Sequence, residues 1–319
     1  MKKIGILTSG GDAPGMNAAI RAAVRTGLNM GMEVYGIERG YEGLLDGDIK
    51  KMEWNSVGDI LHRGGTILRT ARSQRFMTEE GQKHAVTMLE TFGIEGLIVI
   101  GGDGSLRGGL ELAKRGIKVM GVPGTIDNDL GYTDYTIGFD TAVNTVLSMI
   151  SNLRDTASAH ERTTIIEVMG RHCGDIALHA GLAGGADVVL VPEKELDINN
   201  VCIRVLRGQQ SGKLHSIIIK AEGVEMSSTE LAEIVEERTG REARAVVPGH
   251  IQRGGTPTGR DRILAGLMAT KAVQLLYDDE KSKAVGIVGN DIVAYDLEEA
   301  LEIKGEFGKG IYDLAEILS

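Results

Sequence analysis

Cysteine, proline and aromatic residues are scarce in this sequence. Two cysteines in 319 residues, Cys173 and Cys202, cannot build a disulfide framework and show no zinc-like spacing, so a stapled secreted fold is excluded and a reducing, cytosolic setting is expected. Long apolar runs are missing too. No window approaches the about 18 residues a membrane helix needs, and the apolar stretch 4–7 after Met1-Lys2-Lys3 is too short for a signal-peptide core. A membrane protein is excluded, and 4–7 reads as a first strand. There is also no excess of positive charge: 35 Lys and Arg stand against 45 Asp and Glu, a net −10. That gives no general attraction to nucleic acid or an anionic membrane, so an anionic ligand must be held by a local basic site. No fixed-period repeat, low-complexity tract or Pro/Ser-rich linker breaks the chain.

Glycine, by contrast, is abundant: 45 residues, roughly twice the ordinary share of about 7%. The glycines cluster after short apolar runs, at Gly10-Gly11, Gly64-Gly65, Gly101-Gly102, Gly184-Gly185 and Gly254-Gly255. Strand-to-helix turns of an α/β protein place them so. Nearly continuous apolar runs at 4–7, 34–37, 97–100, 119–122, 164–169, 188–191, 216–220, 245–247 and 284–288 suit strands buried on both faces. Helical patterns lie between them at 16–30, 78–92, 141–157, 199–210, 228–239 and 258–278, several opened by Ser, Thr or Asn. The alternation predicts an α/β fold with wound, mostly parallel sheets flanked by helices. The strand count exceeds what one sheet comfortably holds, so two Rossmann-like sheets with a cleft between two domains are expected.

Three turns carry carboxylates. Thr8-Ser9-Gly10-Gly11-Asp12-Ala13-Pro14-Gly15 ends a strand and opens a helix, where free N–H groups and the helix dipole favour phosphate. It is not a dinucleotide fingerprint, because Asp12 stands at the central glycine, and no Gly-Lys-Ser/Thr of a Walker loop follows. In Gly101-Gly102-Asp103-Gly104-Ser105, Asp103 at a strand's carboxyl end suits a magnesium ion that keeps several waters; a helix N-cap is the plainer reading. In Pro123-Gly124-Thr125-Ile126-Asp127-Asn128-Asp129, two carboxylates two residues apart project to one side of an extended stretch, and such an Asp can accept a hydroxyl proton in phosphoryl transfer. A solvated Asn/Asp turn is the alternative.

The basic candidates are scattered. Arg171 and Arg253, each beside glycine after an apolar run, are placed to grip phosphate bidentately, whereas Arg72 and Arg162 read alone as surface residues. His172 and His250 lack metal-ligand spacing and are expected to form hydrogen bonds. Arg21 and Arg25, one helical turn apart, repel each other modestly, and an anion would relieve them.

Taken in order, TSGGDAPGMNA, IGGDGS, PGTIDND, EVMGRHCGD, AEGV and GHIQRGGTPT resemble the bacterial ATP-dependent members of the phosphofructokinase family, over essentially the whole chain. The resemblance implies MgATP-dependent phosphorylation of fructose 6-phosphate at its 1-hydroxyl, the committed step of glycolysis, in an allosteric cytoplasmic homotetramer. It implies a larger ATP-binding domain from 1–138 with 251–305 and a smaller fructose 6-phosphate-binding domain from 139–250 with 306–319. Asp127 matches the family's base and Asp103 its magnesium-side carboxylate; Thr125, Asp129 and Arg171 adjoin the transferred group, and Arg72 braces the phosphates. The nucleotide follows Gly11, Arg72, Ser73, Gly102, Asp103, Gly104 and Ser105. The sugar phosphate meets Thr125, Ile126, Asp127, Met169, Gly170, Arg171, Glu222, His250, Ile251, Gln252 and Arg253, with Arg162 and Arg244 reaching across from a neighbouring subunit. Effectors, ADP as activator and phosphoenolpyruvate as inhibitor, map to Arg21, Arg25, Arg154, Gly185, Ala186, Asp187, Ser211, Lys213, Leu214 and His215. Ser211, Asp187 and Trp54 depart from the pattern there. Gly104 and Gly124, where pyrophosphate-dependent relatives carry Asp and Lys, leave room for a nucleotide and favour ATP. A kinase with another acceptor, sharing only the GGDG turn, is disfavoured by the PGTIDND and GHIQRGG loops. A catalytically silent sugar-phosphate or nucleotide sensor is disfavoured by the presence of both Asp103 and Asp127.

Overall fold

The computed structural model describes residues 1–319, which form two compact units. The first comprises Met1–Ile126, Leu130–Thr141 and Arg253–Gly305; the second comprises Asp127–Asp129, Ala142–Gln252 and Glu306–Ser319.

In the first unit, the strands β1 (Lys3–Thr8), β2 (Glu33–Ile37), β3 (Ile49–Met52), β4 (Gly96–Gly101), β5 (Lys118–Thr125), β6 (Ile137–Gly138), β11 (Lys283–Val288) and β12 (Asp291–Asp296) make one sheet. Its order is β12-β11-β5-β4-β1-β2-β3, with β6 pairing β5. The centre is parallel, and β4 is buried along its whole length, which explains its unbroken apolar run. Both edges are antiparallel, β3 on β2 and β12 on β11. These edges carry Lys50, Lys51, Asp291 and Asp296, charges that discourage pairing with another chain and that also hid them from an apolar-run search. Helices α1 (Met16–Asn29), α2 (Gly40–Asp46), α3 (Glu79–Phe92), α4 (Asp103–Ala113), α9 (Gly259–Tyr277) and α10 (Leu297–Glu302) complete this unit. Leu7, Ile37, Leu97, Val99, Leu106 and Val119 anchor one of its cores.

The second unit holds a wholly parallel sheet ordered β10-β7-β9-β8, from β7 (Thr163–Val168), β8 (Val188–Leu190), β9 (Ser216–Ala221) and β10 (Ala243–Val246). Helices α6 (Asp175–Gly184), α7 (Ile198–Gln210), α8 (Ser228–Thr239) and α11 (Lys309–Leu318) belong to it, and α7 and α8 pack on the sheet around Ile165, Val205, Ile218 and Leu231. Helix α5 (Phe139–Ala159) begins in the first unit and continues in the second.

The crossing points differ from 138/139 and 250/251 by a few residues, and side chains explain why. Asp261, fully buried, accepts hydrogen bonds from Gly138 N and Thr141 N at 2.9 Å, holding the first turn of α5 with the first unit. Burial pushes the Asp261 carboxyl above its usual range, although the Thr141 hydroxyl opposes that. Gln252, 0% exposed, keeps the next crossing in the second unit by accepting from Met169 N at 3.0 Å and donating to Gly249 O at 3.2 Å. Thr78, Ser227 and Thr258 cap α3, α8 and α9, but α7 is capped by Asp197, two residues before the expected start. No helix is long and apolar enough to cross a membrane.

Candidate active site

In the first unit, two glycine turns follow the adjacent strands β1 and β4. The N-caps of α1 and α4 are Gly15 and Gly102, and no side chain caps either helix; Met16 N turns back to Ala13 O and Ser105 N to Gly102 O, so no side-chain oxygen competes with a phosphate for the other first-turn N–H groups. A Cβ at Gly11 would fall on the guanidinium of Arg253, the movable tip of a long side chain, which shows how closely that arginine lies over the turn. Arg253 Nε is buried without a hydrogen-bond partner, so a cation with spare donor capacity covers this turn. The structure thus brings together a residue expected on the sugar side and one expected on the nucleotide side.

Asp103 is the first residue of α4, not its cap, which removes the plainer reading of that carboxylate. It is partly exposed and held by Arg107, one turn on, whose Nε lies 3.1 and 3.0 Å from the two carboxylate oxygens. Arg107 also donates to Leu301 O. Sequence reasoning missed Arg107, although the four-residue spacing from Asp103 was visible. Gly102 packs beside Thr125, the last residue of β5, so Asp103 and Thr125 leave neighbouring strands. No group of three or more His, Cys, Asp or Glu gathers for a metal. A single outward carboxylate fits magnesium, which takes most of its ligands from water and phosphate rather than from a protein cage.

The segment bearing Arg72 and Ser73 is fastened to the same turns. Asn17 receives Ile67 N and donates to Arg63 O and Gly64 O, Thr8 donates to Arg69 O at 2.8 Å, and Thr70 donates to Gly10 O at 2.6 Å. Arg72 is exposed, while the Ser73 hydroxyl accepts from Phe76 N and thus shapes the chain. Ser105 is also structural: its side chain is buried and its carbonyl accepts from the Tyr41 hydroxyl at 2.6 Å. Tyr41, stacked on Phe76 with centroids 4.1 Å apart, props the start of α4 and went unnoticed in the sequence.

In the second unit, Arg171 Nε stands 3.2 Å from Asp127 Oδ2, and Asp127 is only 2% exposed. The expectation that Asp127 and Asp129 project to one side of an extended stretch is corrected. Asn128 between them has φ +54, a left-handed conformation Asn tolerates, and its amide donates to Asp175 Oδ2 at 2.8 Å. Arg171 is itself left-handed at φ +54, and Glu222 Oε1 accepts from Gly170 N at 3.2 Å and Arg171 N at 2.8 Å. Two of the expected sugar contacts can be made through backbone only. The Gln252 amide is buried and spent on Met169 and Gly249, and the Ile126 side chain is buried, so only their backbones can face a ligand. His250 and Ile251 are exposed. Cys173, near Asp175 and Glu193, is pushed up to about 12 by burial first, so it stays a thiol at neutral pH.

Arg162 and Arg244 meet on Glu242. Arg244 Nη2 is 2.7 Å from Glu242 Oε1, and Arg162 Nη2 is 3.9 Å from Glu242 Oε2. They stand at the amino end of β7 and on its partner β10, whereas Met169–Arg171 follow the carboxyl end of β7, six residues or about 20 Å along.

The effector candidates fall into two groups. Arg21 and Arg25 lie on α1; Arg21 is lowered from its ordinary range by burial and then by Arg25, and Arg25 lies over the Trp54 ring at 5.2 Å. In the second unit, Arg154 donates to Gly184 O and Gly185 O, while Lys213 pairs with Asp187, which also accepts from Ile217 N at 2.8 Å. Asp187 therefore offsets Lys213. Ser211 ends α7 and donates to Gly208 O, Ala186 is buried and Leu214 is exposed.

Glycine turns that open uncapped helices, an outward Asp at the head of one of them and an arginine-held Asp define a phosphotransferase of the α/β class. The chain belongs to the phosphofructokinase family, which it matches over residues 3–276. It is 59% identical to an ATP-dependent 6-phosphofructokinase of Clostridium tetani and 57% identical to one of Alkaliphilus metalliredigens, each over 319 residues and 100% of both chains. Among solved structures it resembles phosphofructokinase from Saccharomyces cerevisiae at TM-score 0.91 and 36% identity, covering 100% of this chain and 48%, about half, of the yeast chain. A pyrophosphate-dependent phosphofructokinase from Marinobacter aquaeolei shares the fold at TM-score 0.88 and 20% identity, over 100% of this chain and 91% of that one.

The donor argument from two glycines divides. A Cβ at Gly104 meets nothing within 4 Å, so the open space there is real. At Gly124 the expectation of ligand room is corrected, because a Cβ would meet Ile100 Cγ2 at 3.0 Å and Met16 Cε at 3.3 Å, an apolar wall. Gly104→Asp is therefore expected to fold with a melting temperature near wild type, since an acidic residue suits a helix's first turn, while the KM for ATP rises at least about tenfold from charge opposed to phosphate. An unchanged KM would show that position 104 does not face the donor.

Proposed function

We infer that this chain transfers the terminal phosphoryl group of ATP to the 1-hydroxyl of fructose 6-phosphate, giving fructose 1,6-bisphosphate and ADP, the committed step of glycolysis. The observation that carries the chemistry is the Arg171–Asp127 pair, a buried carboxylate already oriented by a cation that is itself half exposed. Asp127 takes the hydroxyl proton as the sugar oxygen bonds to phosphorus and the bond to the ADP oxygen breaks, the electron pair leaving with ADP. Arg171 keeps Nε on Asp127 and offers its outer N–H groups to the transferring phosphoryl. Thr125 and Asp129 adjoin the same group.

The first unit supplies the nucleotide residues Gly11, Arg72 and Gly102–Ser105. The second supplies Asp127, Met169–Arg171 and Glu222 for the sugar. The chain crosses between units inside the motifs themselves, between Ile126 and Asp127 and between Gln252 and Arg253. Asp103, freed from Arg107, would hold magnesium, which would supply neutralisation of phosphate charge. Arg162 and Arg244 stand at the far end of β7 from Met169–Arg171, which supports the role the resemblance implies for them, service to a neighbouring subunit of a homotetramer. Both carboxylates the reaction requires are present, which disfavours a silent sensor.

The test follows ADP release from MgATP with and without fructose 6-phosphate, beside a reaction supplied with pyrophosphate. ADP formed only with the sugar is expected. Turnover with pyrophosphate instead overturns the donor, and none with either overturns the enzyme reading.

The resemblance assigns ADP and phosphoenolpyruvate to Arg154, Lys213 and His215 in the second unit and to Arg21 and Arg25 in the first, two basic groups each suited to phosphate. Burial first, and then the Arg154 charge, hold His215 below its ordinary range. Folding thus disfavours the imidazolium, and this site's stability contribution is whole above about pH 6.5 and lost as pH falls below it. A bound phosphate reverses the preference and takes up a proton. Effector affinity is therefore expected to gain more between pH 8 and pH 6 in wild type than in His215→Gln, measured by titration calorimetry; equal pH dependence would remove His215 from the site.

A further inference from the structure

Beneath the loops that carry Arg171 and Glu222 lies an ion pair that the reaction does not use. Lys220, 1% exposed, faces Glu167 across the β7–β9 register, with Nζ 3.2 Å from Glu167 Oε2 and 3.3 Å from Ala221 O. Ser228, the first residue of α8, donates its hydroxyl to the same Oε2 at 2.5 Å. Residues 222–227 run between these two anchors, so one carboxylate oxygen fastens both ends of the loop that begins with Glu222. Glu222 in turn holds the N–H groups of Gly170 and Arg171, at φ +135 and +54, a left-handed stretch that a non-glycine residue adopts only when its surroundings impose it. Glu167 itself lies two residues before Met169, so the same residue leads into the second loop. The packing is close: a Cβ at Gly223 would collide with Arg171 O.

We propose that Glu167 is a positioning residue, which through Lys220, Ser228 and Glu222 holds Arg171 in the turn that sets its Nε against Asp127. Buried ion pairs are poor sources of net stability, and well-packed apolar residues of similar volume commonly replace both partners without loss. What the apolar pair cannot reproduce is a directional hold on Ser228 and on the strand end before Glu222. The kinetic consequences rest on the functional reading above; the consequences for loop order do not.

The test compares full-length wild type with the double variant Glu167→Leu, Lys220→Met. The double variant is expected to melt near wild type, with amide hydrogen exchange at least about tenfold faster at Gly170 and Arg171, and with the KM for fructose 6-phosphate raised about tenfold, kcat lowered and the KM for ATP within about twofold. Unchanged exchange at Gly170 and Arg171 in a folded double variant overturns the proposal, as does an equal rise in both KM values, which marks a merely structural pair. If the double variant does not fold, Ser228→Ala decides, because it removes one hydroxyl only. Faster exchange across 222–227 and at Arg171 supports the proposal, and unchanged exchange overturns it. The exchange result stands whichever donor and sugar the wild type turns over, so failure of the functional reading is seen separately.

Discussion

Asp127→Ser is expected to lower kcat for fructose 6-phosphate phosphorylation by about three orders of magnitude, within the range of about 10²–10⁴ for a lost general base. At about 1.4 kcal/mol per decade, that corresponds to about 4 kcal/mol of transition-state stabilisation. The KM for the sugar phosphate should stay within about threefold, because the loss falls on proton transfer rather than on ground-state binding. Serine keeps a small polar group in a nearly closed site and releases Arg171 Nε from its 3.2 Å partner. The freed guanidinium can hold phosphate in the ground state, which works against any rise in KM. Asp129→Ser should cost less, since it is Asp127 that matches the base and that Arg171 Nε approaches at 3.2 Å. Steady-state kinetics of both variants decide the assignment. A loss in Asp127→Ser smaller than tenfold, or one carried wholly by KM, would falsify Asp127 as the base.

The different fates of these neighbours show where sequence reading succeeds. Buried parallel strands such as β4 are visible because both faces are apolar, so composition alone marks them. The edges β3 and β12 are not, since a strand with one free edge carries charges and loses the apolar run. Asp127 and Arg171 are legible as residue types after strands, but their pairing depends on left-handed backbone at Asn128 and Arg171, which no spacing rule encodes. Gln252 and Glu222 sit in the motifs that carry the family resemblance, yet they use side-chain atoms to hold Met169, Gly170 and Arg171. A motif reports that a residue matters without distinguishing contact from support. Glu167 opens the EVMGRHCGD motif and Lys220 ends the 216–220 run, yet their pairing is invisible in sequence, because they become opposite neighbours only through the register of two strands about 50 residues apart.

The same register bears on Arg162. In one chain this arginine precedes β7 while the sugar loop follows it, so no local rearrangement brings its guanidinium to Arg171 without unravelling a buried strand. Its Nε is buried without a partner and its nearest acid, Glu242, is 3.9 Å away and mainly engaged by Arg244. A cation so weakly satisfied is suited to a phosphate brought by a neighbouring subunit. Arg162→Ser is therefore expected to raise the KM for fructose 6-phosphate by about 10- to 150-fold, the equivalent of about 1.5–3 kcal/mol for a hydrogen bond to a charged group. The KM for ATP should move less than about twofold. On the proposal that the residue serves its neighbour, mixing inactive Asp127→Ser chains with sugar-binding-deficient Arg162→Ser chains should restore shared sites that contain an intact Asp127 from one chain and an intact Arg162 from the other. Activity regained on refolding the mixture, above the sum of the two separate samples, is the expected result; strict additivity would place Arg162 in its own chain's chemistry or in none.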